Sequence, residues 1–307
     1  MKKLLSLILV TILLCGCTAH AHQQEGGMKV ICTSFALYDW AVNISGGNAD
    51  ITYLLSAGED MHSFQPTADD IINITTCDVL IYTGGESDIW IDEAVQKGAS
   101  GQIVRLMDRN DLSLEEEEVE GMQSAEEDEE EEAYDEHIWL SPARAPEYCK
   151  MIADGFIKAD PANAAAYTDN LNRYTAALDA LNAEYSELSG GTFIVADRFP
   201  FRYLAHDCGL EYYAAFSGCS AESEASFETV TFLTDKANEL KVPVIFVIDG
   251  SDGRLARTIA DGCETAPETV VLDSMQSVKS TDEYRGYIER MEYDLEQLKK
   301  GVAHAES

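Results

Sequence analysis

The sequence predicts an α/β protein with two lobes, each built around a parallel sheet, joined by one long helix. Strand and helix patterns alternate in the N-terminal part, the same alternation returns in the C-terminal part, and a long stretch of helical periodicity separates the two. Strands that alternate with helices form parallel sheets covered on both faces. The chain has 307 residues, 46% of them apolar, which suits one large or two medium domains with a packed core.

Each element of the N-terminal part follows from a local pattern. Short runs rich in Val, Ile, Leu and Tyr predict strands at 28–33, 51–55, 78–82 and 103–106. Amphipathic stretches between and after them predict helices at 36–44, 67–74, 90–96 and 145–156. Thr67 is expected to cap its helix, with acidic residues in the first turn where the helix dipole favours them.

The long helix is expected to begin at Asp160 and Pro161, because Asp is a good N-cap and Pro fits the first helical position. Apolar residues three and four positions apart continue to Leu188, and Gly190 then ends the helix. About 28 residues at ~1.5 Å each would span ~42 Å, enough to run along both lobes.

The second α/β series follows this helix. Strands are predicted at 193–196, 212–216, 244–248 and 270–272, and helices at 201–208, 227–240, 254–262 and 282–300. The expected organisation is a signal peptide with its lipidation site, a tether, an N-terminal lobe with an acidic loop at 111–136, an interlobe helix and a C-terminal lobe. Their boundaries are 1–17, 18–27, 28–159, 160–190 and 191–303.

The N-terminus carries a targeting signal. Lys2 and Lys3 precede an apolar stretch at 4–14, which is followed by a Leu-Cys-Gly-Cys segment that resembles a bacterial lipobox. We therefore expect Cys17 to carry a lipid that anchors the protein to the outer side of the bacterial cell membrane. An ordinary secretory signal cut elsewhere is the alternative.

The acidic charge of the chain is concentrated in one place. The formal charge is -35, and residues 111–136 contain 15 acidic residues and no Lys or Arg. Nucleic acid is excluded as a partner because no basic patch is visible, whereas a cation suits so negative a molecule. The tract at 115–132 is expected to be a mobile surface loop that either solvates the protein or holds cations weakly. Its deletion should leave tight metal binding intact.

The cysteines show no metal-ligand spacing. Eight are present, and most of the six beyond the N-terminal segment lie near apolar residues. Buried free thiols are favoured over one or two disulfides, although an exported protein could form them.

Three residues are candidates for chemistry, namely His62, His137 and Asp249. His62 and Asp249 each follow a predicted strand, and ligands in parallel α/β sheets bind at the carboxyl ends of strands. Imidazole nitrogens together with a carboxylate suit Zn²⁺, Mn²⁺ or Fe²⁺. Periodicity alone does not bring the three residues together in space.

Several segments resemble those of the bacterial metal-binding lipoproteins that serve zinc and manganese ABC importers. The first is 58–67, GEDMHSFQPT, with its His before an aromatic residue and Pro-Thr. The second is 135–142, DEHIWLSP, and the third is DPAN at 160–163, which opens a helix like the family's rigid interlobe helix. The acidic tract occupies the place of the family's charged loop, and the similarity covers nearly the whole mature chain.

The resemblance implies a metal site in the cleft between the lobes, with His62, His137 and Asp249 as ligands. Its third ligand is a His or Glu five residues before a Tyr, and the corresponding position here is Arg198. A guanidinium has no lone pair to donate to a metal. Either Asp197 takes the place of this ligand, or water completes the site while Arg198 pairs with an acidic neighbour. Two residues remain in reserve, Glu222 and Glu224.

The function implied is a monomeric receptor, not an enzyme, that captures a divalent metal and delivers it to the membrane permease of an ABC importer. Zinc is favoured and manganese is the alternative. A metal-dependent hydrolase and a surface adhesin are the rival classes. No H-E-x-x-H or G-x-S-x-G motif supports a hydrolase.

Overall fold

The computed structural model describes residues 27–123, 134–218, 224–281, 283 and 285–304. It confirms the α/β class, with two parallel sheets in two lobes. The strands of the first sheet are Met28–Cys32 (β1), Ala49–Tyr53 (β2), Val79–Tyr82 (β3) and Gln102–Arg105 (β4). They lie in the order β2-β1-β3-β4 and all pair in parallel. The first-lobe helices are Phe35–Ser45 (α1), Ala68–Thr76 (α2), Ile89–Gly98 (α3) and Ala145–Ala159 (α4).

Local capping explains where some of these elements begin and end. The hydroxyl of Thr67 accepts a hydrogen bond from the backbone N–H of Asp70, whose carboxylate accepts one from Thr67 in return, so α2 begins with a complete capping box. Gly46 adopts the left-handed conformation that ends α1, with φ at 57°. Both signals are local in sequence, which is why these boundaries agree closely with the predictions.

The predicted long helix is present but is not α-helical throughout. It consists of a 3₁₀ turn at Pro161–Asn163, an α-helix at Ala164–Tyr185 (α5) and a second 3₁₀ turn at Ser186–Leu188. The 22 α-helical residues span about 33 Å. The Tyr174 hydroxyl donates to Asp39 of α1 at 2.9 Å, and that of Tyr185 donates to the carbonyl of Met291 at 2.6 Å. These two bonds anchor the helix at its middle and at its C-terminal end.

The second sheet repeats the topology of the first. Its strands are Gly191–Phe199 (β5), Glu211–Ser217 (β6), Val244–Ile248 (β7) and Glu268–Leu272 (β8), in the order β6-β5-β7-β8. A short strand, Ala303–His304 (β9), pairs antiparallel with β5. The helices are Arg202–Cys208 (α6), Phe227–Leu240 (α7), Arg254–Asp261 (α8) and Tyr287–Gly301 (α9). One buried apolar cluster runs from the first lobe past α5 into the second.

The final helix begins five residues later than predicted, at Tyr287 instead of 282. The chain before it is used for contacts with the first lobe. The N–H of Ser280 donates to the carbonyl of Ser56 at 2.8 Å, and Lys279 forms an isolated antiparallel bridge with Ala57. Gly286 is still extended, with ψ at 167°, so the chain becomes helical only from Tyr287.

The acidic tract is not one mobile loop, and that prediction is wrong for its first part. Residues 114–123, here called the acidic arm, lie against the second lobe. The N–H of Gln123 donates to the carbonyl of Ala215 on β6 at 2.9 Å, and Glu117 pairs with Arg202 at 2.8 Å. Three apolar side chains of the arm pack against the core, namely Leu114, Val119 and Met122. These residues, interspersed among the acidic ones, give the arm a face that packs.

The described cysteines are free thiols. Cys263 is partly exposed, and the four buried ones are Cys32, Cys77, Cys149 and Cys208. Burial raises the pKa of these thiols, which keeps them neutral. Of the helices in the described part of the chain, none is both long and apolar enough to cross a bilayer.

Candidate metal centre

The carboxyl ends of the two sheets border one cleft. In each sheet the first strand lies between its two successors, β1 between β2 and β3, and β5 between β6 and β7. Such a reversal of strand order leaves a crevice at the carboxyl ends of the strands, where ligands bind in this class of fold. The cleft has a volume of about 590 Å³. It is bordered by Asp60 from the first lobe and by Asp197, Arg198 and Asp249 from the second.

The structure brings His62 and His137 together. His62 lies in a 3₁₀ turn, Met61–Ser63, that follows β2, and His137 immediately precedes another such turn, Ile138–Leu140. Their Nε2 atoms are 3.3 Å apart. Two imidazole nitrogens bound to one tetrahedral Zn²⁺, each at about 2.05 Å, would be separated by about 3.3 Å. The pair therefore already has the spacing of two ligands on one tetrahedral zinc ion.

Both imidazole rings are held through their other nitrogen. Nδ1 of His62 lies 3.0 Å from the Ser87 hydroxyl and 3.1 Å from Glu136 Oε1. Nδ1 of His137 lies 3.0 Å from Asp135 Oδ1. A carboxylate on Nδ1 orients the ring and selects the tautomer that leaves Nε2 free for a metal. Both Nε2 atoms thus keep a lone pair available for a metal ion.

Glu136 is itself fixed in place. Its side chain is only 1% exposed, and it accepts hydrogen bonds from the backbone N–H and the hydroxyl of Ser87 at 3.0 and 2.6 Å. Burial alone raises the pKa of this carboxyl, but the bond from His62 and the charges of both histidines lower it to about 2. Gly85 leaves the necessary space, because a Cβ there would lie 2.3 Å from Glu136 Oε2. Glu136 therefore stays ionised.

His137 is fully buried and is touched from the second lobe. A Cβ on Gly218 would lie 3.0 Å from the Cε1 atom of this ring, so glycine permits the close approach. Burial by itself lowers the pKa of His137, but the charge of Asp135, its hydrogen bond and the charge of Glu136 raise it overall. The ring thus holds a proton to a higher pH than an ordinary histidine does.

Asp249 follows β7 and lies at the edge of the cleft. Its Oδ1 accepts hydrogen bonds from the N–H and the hydroxyl of Ser274 at 2.7 and 2.5 Å. Within the described residues its Oδ2 accepts none. Burial raises the pKa of this carboxyl, the charge of Asp273 raises it further, and the Ser274 bonds oppose only part of that rise. A nearby cation would oppose this rise, because an opposite charge favours the ionised form.

A β-bulge positions Asp197. Val195 pairs with Ala214 and Arg198 with Phe216, so β5 contains one residue more than β6 between these pairs. Bulges re-aim side chains next to functional sites. Asp197 lies in this bulge, where its Oδ1 accepts the N–H of Arg198 at 2.9 Å.

Arg198 pairs with an acidic neighbour, as one of the two alternatives for the third ligand requires. Its Nη2 donates to Asp60 Oδ2 at 2.7 Å. Among the described residues, no three His, Cys, Asp or Glu side chains are arranged around one point where they could hold a metal. Asp197 and Asp249 border the cleft that Asp60 also lines, and their role as ligands stays a prediction.

The other predicted residues fall elsewhere. Glu224 is exposed and does not border the cleft. Cys17 and Glu222 lie outside the described residues. Sequence reasoning missed the supporting roles of Ser87 and Glu136. For Glu136 a signal was present, because it belongs to the acidic pair immediately before His137. In the sequence, however, this pair looks like the end of the acidic tract.

Comparisons with known proteins identify the family to which the chain is similar. The family model described as zinc-uptake complex component A, periplasmic, matches residues 30–301. The zinc-binding lipoprotein AdcA of Streptococcus pneumoniae serotype 4 is 28% identical over 98% of this chain, which spans only 61% of that relative's length. The high-affinity zinc uptake system protein ZnuA of Bacillus subtilis is 26% identical, covering 92% of this chain and 90% of the relative.

A solved structure shows the same fold. The metal-dependent lipoprotein YcdH from Bacillus subtilis superposes with a TM-score of 0.74 at 26% identity. The match covers 90% of this chain and 99% of the other.

Proposed function

Because the chain belongs to the family of periplasmic zinc-uptake complex component A, we propose that it captures Zn²⁺ outside the cell membrane and delivers it to an importer. One observation carries the proposal. The Nε2 atoms of His62 and His137 face each other at 3.3 Å while a carboxylate holds each Nδ1. A histidine pair with this spacing and this support, one ring fully buried and the other largely so, suits a tetrahedral metal.

Two further positions on the ion remain for oxygen donors from the second lobe. We propose Asp249 and Asp197 for them, because both border the cleft that is also lined by Asp60, whose carboxylate accepts the backbone N–H of His62. Two nitrogens and two carboxylates are a ligand set that zinc accepts in tetrahedral geometry, whereas Mn²⁺ prefers more oxygen ligands. The names of the two zinc-binding relatives support the same choice of metal.

The proposed role needs no catalytic step, since the cargo is bound and released unchanged. A hydrolase would require a general base and a substrate position beside a metal-bound water. We propose that the partner is the membrane permease of an ABC importer, and that a lipid on Cys17 keeps the receptor at the membrane.

The test is a competition titration of metal-free protein against a zinc chelator, repeated with Mn²⁺. The expected result is one zinc ion bound per chain, with manganese unable to displace it at equal concentration. Preference for manganese would change the assigned cargo, and the absence of tight binding to either metal would refute the proposal. Elemental analysis of protein purified without chelators identifies the metal acquired in the cell.

A further inference from the structure

Arg198 contacts both sides of the cleft. Its guanidinium Nη2 reaches across to Asp60 Oδ2 of the first lobe at 2.7 Å, and its backbone N–H donates to Asp197 Oδ1 at 2.9 Å. The carboxylate of Asp60 uses its other oxygen, Oδ1, to accept the backbone N–H of His62 at 3.0 Å. An unbroken series of hydrogen bonds therefore connects the two predicted ligands His62 and Asp197 through Arg198.

From this series we propose that Arg198 is a positioning residue for metal capture. Through Asp60 it holds the turn of His62 at a fixed place relative to Asp197. The proposal rests on the proposed function, because it takes His62 as a metal ligand. It assigns Arg198 a role in affinity although a guanidinium cannot coordinate a cation.

The surroundings of this ion pair favour such a role over a loose surface contact. The Arg198 and Asp60 side chains are only 21% and 27% exposed, and both border the cleft. Next to them, the N–H of Ser280 donates to the carbonyl of Ser56 at 2.8 Å, which links the backbones of the two lobes. Ion pairs between partly buried groups in fixed backbone are stronger than pairs between exposed, flexible side chains.

The arrangement also explains how a positive residue is tolerated beside a cation site. Bonded to Asp60, the guanidinium is neutralised by a carboxylate that is itself engaged with the His62 turn. In the described residues no carboxylate of the second lobe joins the histidine pair in a three-donor site. The ion pair therefore supplies a link between the lobes that does not depend on the metal.

A double-mutant cycle tests the proposal. Asp60→Asn keeps an oxygen to cap the His62 turn but removes the charge, and Arg198→Gln removes the partner. Each single variant is expected to bind Zn²⁺ about tenfold more weakly, mainly through faster dissociation, because the His62 turn loses its tie to the second lobe. The double variant should be no weaker than either single one, since both act through the same bond. Arg198→Lys should recover part of the affinity.

The matched control is Arg254→Gln, which breaks an ion pair with Asp252 that lies within one lobe. It should leave zinc binding unchanged. The proposal would be overturned if Arg198→Gln released zinc at the wild-type rate or bound it more tightly than the wild type. It would also be overturned if the losses of affinity were additive in the double variant. Tighter binding would mean that the guanidinium merely repels the metal.

Folding is checked by thermal unfolding of the metal-free variants. If Arg198→Gln does not fold, the test uses Arg198→Lys and Asp60→Asn instead. Zinc dissociation at the wild-type rate from both variants then refutes the proposal. Failure of the wild-type protein to bind zinc would instead refute the proposed function, so the two outcomes remain distinct.

Discussion

The predicted metal ligands on the two sides of the cleft are held in place to different degrees. On the first-lobe side, His62 and His137 are mostly or fully buried, and each imidazole is held by a buried carboxylate. On the second-lobe side, Asp197 and Asp249 border open space and are not grouped with the histidine pair. Nitrogen donors in fixed positions set the metal geometry, whereas the two carboxylates, each hydrogen-bonded through its Oδ1, are not yet placed around the same point as the histidines. The difference suggests that the first lobe binds the metal first.

The strongest test of this difference removes a prepared donor. His137→Ala and His62→Ala should each weaken zinc binding roughly 1000-fold, or about 4 kcal/mol, because each deletes one of two fixed nitrogens. Chelator competition measures the loss. His206→Ala is the matched control, because the imidazole of this half-exposed histidine bonds Asp207 and Arg144, which lie away from the histidine pair of the site. A double histidine variant that still bound zinc tightly would refute the site.

The second-lobe carboxylates should matter less. Asp249→Asn is expected to weaken zinc binding roughly 100-fold, or about 2.7 kcal/mol, since an amide oxygen is a poorer ligand than a carboxylate. Asp197→Asn should have a similar effect if it supplies the remaining ligand, and none if water does. Asp179→Asn, an exposed substitution on α5, serves as the control. A loss from Asp249→Asn as large as that from His137→Ala would contradict the difference between the two sides.

The carboxylate behind His62 should contribute through orientation alone. Glu136→Gln is expected to lower zinc affinity roughly 10- to 100-fold, as loss of a partner behind a metal-binding histidine does. Titration calorimetry measures it, with Glu187→Gln on the surface as the control. Unchanged affinity would show that burial alone holds the His62 ring.

Low pH should weaken zinc binding, because the His137 imidazole becomes protonated. Because its pKa is raised, the metal-free ring is protonated over more of the acidic range, and zinc must displace that proton. Affinity should therefore fall by about tenfold per pH unit below that pKa. Asp135→Asn removes the carboxylate that raises the pKa, so its decline should begin at lower pH. An onset at the same pH in both proteins would assign the effect to another group.

The smallest effect is expected from the acidic run at 126–132. Replacing these seven acidic residues with Gln or Asn at unchanged length should alter zinc affinity less than about threefold at physiological salt, because salt screens the attraction between the metal and charges that are not its ligands. The acidic arm is different, because it is bonded to the second lobe. Arg202→Gln, which breaks its ion pair with Glu117, should lower the melting temperature without changing affinity. A tenfold loss of affinity on neutralising the run would give the tract a direct role in capture.

The sequence by itself determined the features that depend on neighbouring residues. Alternating strand and helix patterns gave the two parallel sheets, and the Thr67 capping box set the start of α2. The chemistry of the side chains singled out His62 and His137 as donors. Each of these depends on periodicity, capping or side-chain type, which a linear chain displays directly.

Tertiary structure decided the contacts between distant residues. The 3.3 Å spacing of the two histidines, the bulge that re-aims Asp197 and the pairing of Arg198 with Asp60 all join separate elements. So does the docking of the acidic arm, which its composition argued against. Such contacts depend on how the two sheets are placed and on small apolar or glycine positions that let segments approach. Periodicity and composition carry no information about that placement, so the donors could be named from the sequence while their arrangement could not.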